Sequence, residues 1–212
     1  MRTSADLFDL CRTIQEKCIR KGDFILASGL PAKYYYDGKQ VTLRARTAKA
    51  IGEIVLSILR EYDVEAVGGM AIGADPIAQS VALASLEDGG PEIPAFIVRQ
   101  ADKDHGTRER ASSGFTDDGQ PLLRPSRRVA IVDDIITTGG SVKGAIDVAK
   151  ALGCQVAVVV VLVERHEAGG AKLERDGYHF RRLFHTNEEG DLSVDEELLR
   201  RTAGLSGEPV LR

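Results

Sequence analysis

The stretch RVAIVDDIITTGGSVKGAIDVAKALG, residues 128–153, decides how this chain is read. Val129, Ala130, Ile131 and Val132 form a short, continuous and largely β-branched apolar run, which suits a strand of a parallel sheet buried on both faces. The run predicts a strand over 129–132 that delivers Asp133 and Asp134 to its carboxyl end, the place where open α/β sheets bind ligands. From Ser141 to Leu152 the apolar residues Val142, Ala145, Ile146, Val148, Ala149 and Leu152 recur at helical spacing, and Gly153 is a suitable stop. The unit is therefore strand, loop, helix. At its turn, Gly139 and Gly140 can adopt backbone angles closed to other residues, so that successive amides face one anion at the positive end of the helix. A phosphate would be held there without a lysine.

The loop lacks the Gly-Lys-Ser/Thr element of a Walker loop, and it is not GxGxxG either. Its distinguishing feature is the acidic pair. Ionised carboxylates accept hydrogen bonds strongly and repel phosphate, so Asp133 and Asp134 must face hydroxyl donors or a metal while the amides take the phosphate. A sugar phosphate, with a cis-diol at one end and a phosphate at the other, satisfies both. Two aspartates capping an ordinary βα turn would account for the pair alone, but not for the whole string from Ile131 to Ser141.

The 212 residues suit one α/β domain with a substantial core. With 28 Lys and Arg against 32 Asp and Glu the formal net charge is −4, so general attraction to nucleic acid or membrane is not expected and any anion site must be built locally. No long apolar stretch or signal peptide is seen, and a cytoplasmic location is expected. Cys11, Cys18 and Cys154 have no CxxC spacing; Cys11 and Cys18 share the apolar face of the first helix with Leu7, Leu10 and Ile14, which marks them as core residues.

Along the chain the pattern predicts a helix over 5–21 with Ser4 as cap and Gly22 as stop, and short strands over 24–27 and 34–37. A helix over 45–62, a strand over 66–69, a tight loop from Met70 to Pro76, a helix over 77–86 and a strand over 94–98 follow. With strands over 129–132 and 156–163, the alternation predicts a parallel sheet flanked by helices. No linker or repeat interrupts it, so residues 1–212 read as one domain, with 1–40 and about 185–212 packing together as a cap over the strand ends. Between Arg99 and Ser126 lies a long polar stretch, with Lys103, His105, Arg108 and Arg110 close behind Arg99 and Gly106 as a flex point. Long loops in compact domains are usually functional lids or disordered segments, and these charges favour a lid over a solvated hairpin.

The string from Ile131 to Ser141 resembles the phosphoribosyl-diphosphate (PRPP) motif of the type I phosphoribosyltransferases. Within that superfamily, Val98 to Gly106 resembles the catalytic loop of the orotate phosphoribosyltransferase family, Val-Arg-Lys-x-x-Lys-x-His-Gly. Phe24 to Gly29 followed by Tyr34-Tyr35-Tyr36-Asp37 resembles its N-terminal substrate segment, and Val163-Glu164-Arg165 its late orotate-contacting arginine. The likeness runs from about Phe24 to Phe184 with the segments in the family's order.

The resemblance implies a type I phosphoribosyltransferase fold with a small hood and a long catalytic loop, and transfer of the 5-phosphoribosyl group of PRPP to orotate with Mg²⁺ as cofactor. It implies that Arg99, Lys103 and His105 contact the diphosphate, the loop of one subunit reaching into its partner's site in a homodimer. Asp133, Asp134, Ile135, Ile136, Thr137, Thr138, Gly139, Gly140 and Ser141 would hold ribose and 5-phosphate. Thr137 and Arg165 would bind orotate, and Lys103 and Asp134 would be catalytic. No residue is implied as a direct metal ligand, the Mg²⁺ being held mainly by PRPP and water. Three positions depart from basic residues found in some members: Gln100, Gly73 and Ala27. A purine or xanthine phosphoribosyltransferase shares the PRPP loop but not Lys103 to Gly106 or Arg165. A PRPP-sensing regulator of the same fold would need a DNA-binding segment or basic patch, and none is visible.

Overall fold

Val129, Ala130, Ile131 and Val132 are each 0% exposed in the computed structural model, which describes residues 4–25, 31–87, 89–100, 110–116 and 118–206, the last four as backbone alone. The chain opens with helix α1 (Ser4–Cys18), the hairpin β1 (Ile19–Ile25) and β2 (Pro31–Tyr36), a short α2 (Lys39–Thr42) and α3 (Ala45–Leu59), which ends in a 3₁₀ turn over Arg60–Tyr62. There follow β3 (Ala66–Met70), α4 (Asp75–Glu87), β4 (Ala95–Val98), β5 (Ala111–Ser112), β6 (Arg128–Ile136) and α5 (Gly140–Ala151). The remainder is β7 (Gln155–Glu164), α6 (Gly169–Arg175), β8 (Phe180–Thr186), β9 (Leu192–Val194) and α7 (Glu196–Ser206).

Seven strands make one sheet in the order β5-β4-β3-β6-β7-β8-β9. The inner pairs are parallel, while β5 and β9 close the two edges antiparallel. Side chains alternate across a strand. Ala130, Val132, Val158 and Val160 therefore pack with α1, α3 and α4, and Val129, Ile131, Val159 and Val161 with α5 and α6. Burial on both faces is why β6 and β7 read as unbroken apolar runs.

Because the central strands are parallel, the loops after β3, β4, β6 and β7 all leave the same edge of the sheet. The first helix and the tail meet beside that frame. Gln15 donates to the Gly190 carbonyl at 3.2 Å and accepts the Leu192 N–H at 2.7 Å, and Lys21 pairs with Asp191 at 2.5 Å.

Several expected boundaries move. Helix α1 stops at Cys18, three residues short of the expected end, because the Cys18 carbonyl accepts the Asp37 N–H at 2.9 Å and the chain enters β1. Gly22 is thus no helix stop; it sits in β1 at the register shift between Lys21 and Phe24. Strand β6 runs on to Ile136, since β7 is long enough to pair with Asp133, Ile135 and Ile136. The polar stretch after Arg99 is not a single loop: Ala111 and Ser112 pair with β4, and Phe115 bridges Pro121.

Candidate active site

Asp133 and Asp134 lie inside the last turn of ladder on β6, not beyond it. Asp133 is 6% exposed and its Oδ1 accepts the Asp134 N–H at 2.9 Å. Burial, reinforced by the charge of Asp134, pushes the Asp133 carboxyl well above the usual carboxylate range, and burial also raises that of Asp134. Two backbone segments close on the pair. A Cβ on Gly73, in the turn after β3, would lie 2.5 Å from Asp134 Oδ1 and 2.7 Å from Asp133 Oδ1, and one on Gly38 would overlap Asp134 Oδ2. The Tyr36 hydroxyl donates to the Asp134 carbonyl at 3.4 Å.

Gly73 lets the loop backbone come close to the pair: a side chain there would press on both carboxylates, which would have to shift. The carboxylates are left as acceptors for hydroxyls or for the water shell of a cation. Among the described residues no cluster of three or more His, Cys, Asp or Glu could hold a metal by itself.

Past the pair, Gly139 takes φ +85 and starts α5, a turn that a side chain would strain. The helix has no side-chain cap, and the amides of Thr138, Gly139, Gly140 and Ser141 donate to no described protein group. Those orphan donors, at the positive end of a helix, form a site for a dianion.

The next loop along the sheet carries Arg165. Its N–H donates to the Ile136 carbonyl at 3.0 Å, which fastens it beside the end of β6. The side chain is 4% exposed and lies over the Tyr34 ring at 4.4 Å, with Nη2 3.3 Å from Glu167 Oε1. Its Nε is buried with no partner. A planar guanidinium held in this way matches a planar carboxylate. Tyr34 is fixed in turn by a 2.7 Å bond between its hydroxyl and that of Thr186.

Arg99 is half-buried at the end of β4, where its N–H donates to the Arg110 carbonyl at 2.7 Å. The Arg110 guanidinium donates to the Gln100 carbonyl at 3.2 Å, and the Gln100 side chain is exposed. This joint closes the base of the polar loop on the same sheet edge as the aspartates. Lys103, His105, Gly106 and Arg108 lie outside the described residues, as does Ala27.

The structure thus gathers Asp133, Asp134, residues 135–141 and Arg165 at adjoining strand ends, with Arg99 two strands away. Sequence reasoning missed Gly38 as a wall of the acid pair and Tyr34 as the platform of Arg165. Both contacts span many residues, and only the family's Tyr-Tyr-Tyr-Asp segment hinted at them. The cysteines are core groups: burial pushes the Cys11 thiol up to about 11 and that of Cys18 to about 12.

Residues 38–196 match the phosphoribosyl transferase domain family. The chain is 39% identical over 165 residues to the orotate phosphoribosyltransferase of Nostoc sp., covering 78% of this chain and 76% of that one. With the Aquifex aeolicus orotate phosphoribosyltransferase the identity is 34% over 182 residues, covering 84% and 94%. A crystal structure of Mycobacterium tuberculosis orotate phosphoribosyltransferase in complex with PRPP superposes with TM-score 0.66 at 26% identity, over 84% of this chain and 94% of that one. Sheet order, acid pair, phosphate loop and these likenesses agree, and the chain belongs to the orotate phosphoribosyltransferase family of the type I phosphoribosyltransferases.

Proposed function

We propose that this chain transfers the 5-phosphoribosyl group of PRPP to orotate, giving orotidine 5′-phosphate and diphosphate in the synthesis of UMP. The observation that carries the reading is the acid pair followed directly by the uncapped amides of 138–141, with the Arg165 guanidinium fixed over Tyr34 at the adjoining strand end. Asp133 and Asp134 bind the ribose hydroxyls, the amides from Thr138 to Ser141 bind the 5-phosphate, and Arg165 with Thr137 takes orotate, the arginine through the carboxylate. The raised affinity of the pair for protons suits this assignment, since a hydroxyl donor or a nearby cation lowers the cost of ionising two buried carboxylates.

In the reaction the bond from ribose C1 to the diphosphate oxygen breaks and a bond from C1 to orotate N1 forms. The sugar gains oxocarbenium character, and the leaving group gathers negative charge. Arg99, Lys103 and His105 neutralise that charge where it develops, and Asp134 faces the sugar cation. Asp133 and Asp134 would accept hydrogen bonds from the water shell of a Mg²⁺ ion brought in with PRPP, and that ion would supply positive charge to the leaving diphosphate. At neutral pH the charge of orotate sits on its carboxylate, so the N1 proton leaves as the C1–N1 bond forms and is taken up by water or by the departing diphosphate. Water is the competing nucleophile. Closure of the loop springing from Arg99 and Arg110 excludes it while completing the site.

We read residues 1–212 as one phosphoribosyltransferase domain, with 1–40 and about 185–212 as its hood, working in the cytoplasm as a homodimer whose catalytic loops cross between subunits. Support comes from the bonds joining Gln15 and Lys21 to residues 190–192. No described helix is long and apolar enough to cross a membrane. Loss of orotate absorbance on adding PRPP and Mg²⁺ tests the reading, with uracil, hypoxanthine and xanthine as competing acceptors. Orotate alone should be consumed, and chelation of Mg²⁺ should stop it. Consumption of hypoxanthine or xanthine instead would move the chain to the purine branch.

A further inference from the structure

We propose that Glu164 is a positioning residue for the orotate subsite: its buried carboxylate holds residues 165–170 in the shape that presents Arg165 and braces the phosphate loop. The inference rests on the assignment of Arg165 to orotate and of residues 137–141 to the 5-phosphate. Glu164 ends β7, a strand otherwise made of valine, alanine and leucine after Gln155, and is 3% exposed. A carboxylate is costly in such a place unless both oxygens are satisfied. Both are.

Oε1 accepts the Gly170 N–H at 2.7 Å, and Oε2 pairs with the Arg182 guanidinium. Arg182 Nε reaches Asp195 Oδ2 at 2.9 Å. The other oxygen of Asp195 accepts the N–H of Glu197 at 3.0 Å and of Leu198 at 3.1 Å at the start of α7. One buried carboxylate thus links the Arg165 loop, the outer strand β8 and the last helix.

Its effect on the site is geometric. The bond to Gly170 folds the chain after Arg165 back upon β7, and a Cβ on Gly170 would lie 2.6 Å from Glu164 Oε1, so the two fit without slack. Gly169 is thereby pressed against the phosphate loop: a Cβ there would overlap the Thr137 carbonyl oxygen and lie 3.1 Å from Gly139 N. Arg165 leaves the same strand end in the opposite sense and meets the Tyr34 ring. An apolar residue at this position would leave the Gly170 N–H and the Arg182 guanidinium without their shared acceptor, so the carboxylate is what ties the loop to β8.

Glu164→Gln tests this with almost no change of volume. An amide has one oxygen and one NH₂, so if it accepts from Gly170 it must turn donors toward Arg182, and if it accepts from Arg182 it must turn them toward Gly170. The orotate KM should rise about tenfold, equivalent to about 1.4 kcal/mol, with kcat within about twofold of the wild type. In Glu164→Gln with Arg182→Gln the two amides can pair and free the first oxygen for Gly170. The orotate KM should then return to within about threefold of the wild type.

Melting followed by circular dichroism on each variant separates folding from positioning. An unchanged orotate KM in a folded Glu164→Gln protein overturns the proposal, as does a parallel loss in KM and kcat that the second substitution does not restore. A wild-type chain that fails to consume orotate overturns the functional reading and this proposal with it. An active wild type with an indifferent Glu164→Gln variant overturns the proposal alone.

Discussion

The loops that follow β6 and β7 stand side by side on the sheet, yet they are built in opposite ways. Residues 137–141 take their shape from their own glycines and from the helix they open, and the donors they leave unpaired are backbone amides. Residues 165–169 take theirs from far along the chain: Tyr34 beneath the arginine, Thr186 behind Tyr34, and Gly170 and Arg182 on Glu164. On the proposed reading, a dianion common to many substrates is met by a local device that sequence spells out, and a particular base by one assembled from distant elements, which would carry the specificity.

The division predicts separable losses. The largest belongs to neither loop. Lys103→Ala should lower kcat by roughly a hundred- to a thousandfold, the usual cost of one donor to a developing charge, while orotate binding by titration changes little. Equal damage to both would mean that the catalytic loop also builds the base subsite.

Next comes Arg165→Ala, which should raise the orotate KM by about ten- to a hundredfold, as expected for a charged hydrogen bond, with the PRPP KM within about threefold. An unchanged orotate KM would remove Arg165 from the subsite. Gly139→Ala is the mirror experiment: strain of about 1–2 kcal/mol at φ +85 should raise the PRPP KM up to about tenfold and spare orotate. If both constants shift equally in these two variants, the loops are not independent.

The smallest effect is on stability. Burial and the neighbouring charge raise the Asp133 carboxyl in the folded chain, so the native state holds that proton more tightly than the unfolded one. Stability is therefore lost as pH climbs from the unfolded value, about 3.9, through the raised folded value. Without ligand, Asp133→Asn should melt higher than the wild type at neutral pH, and the gap should close below about pH 4. A gap that does not vary with pH would mean that ionisation of the pair is not the cause.

The same contrast governs what could be read in advance. The run from Val129 to Val132 and the helix ending at Gly153 were legible because burial on both faces and helical spacing are local signals. The acid pair and phosphate loop were legible for the same reason. The extension of β6 to Ile136 was not, because it depends on the length of its partner β7. Nor was the early end of α1, which the Asp37 amide helps to set from nineteen residues away. Gly73 was visible only as a missing lysine. Its positive role, bringing the loop backbone against two aspartates, appears only when β3 and β6 are placed side by side.

Product identification tests the central claim most directly. The purified chain, given PRPP, Mg²⁺ and orotate, should form orotidine 5′-phosphate and diphosphate in equal amounts, both resolved by phosphorus NMR and mass spectrometry. Ribose 5-phosphate and diphosphate without a nucleotide, or a nucleotide formed only from a purine base, would contradict the account.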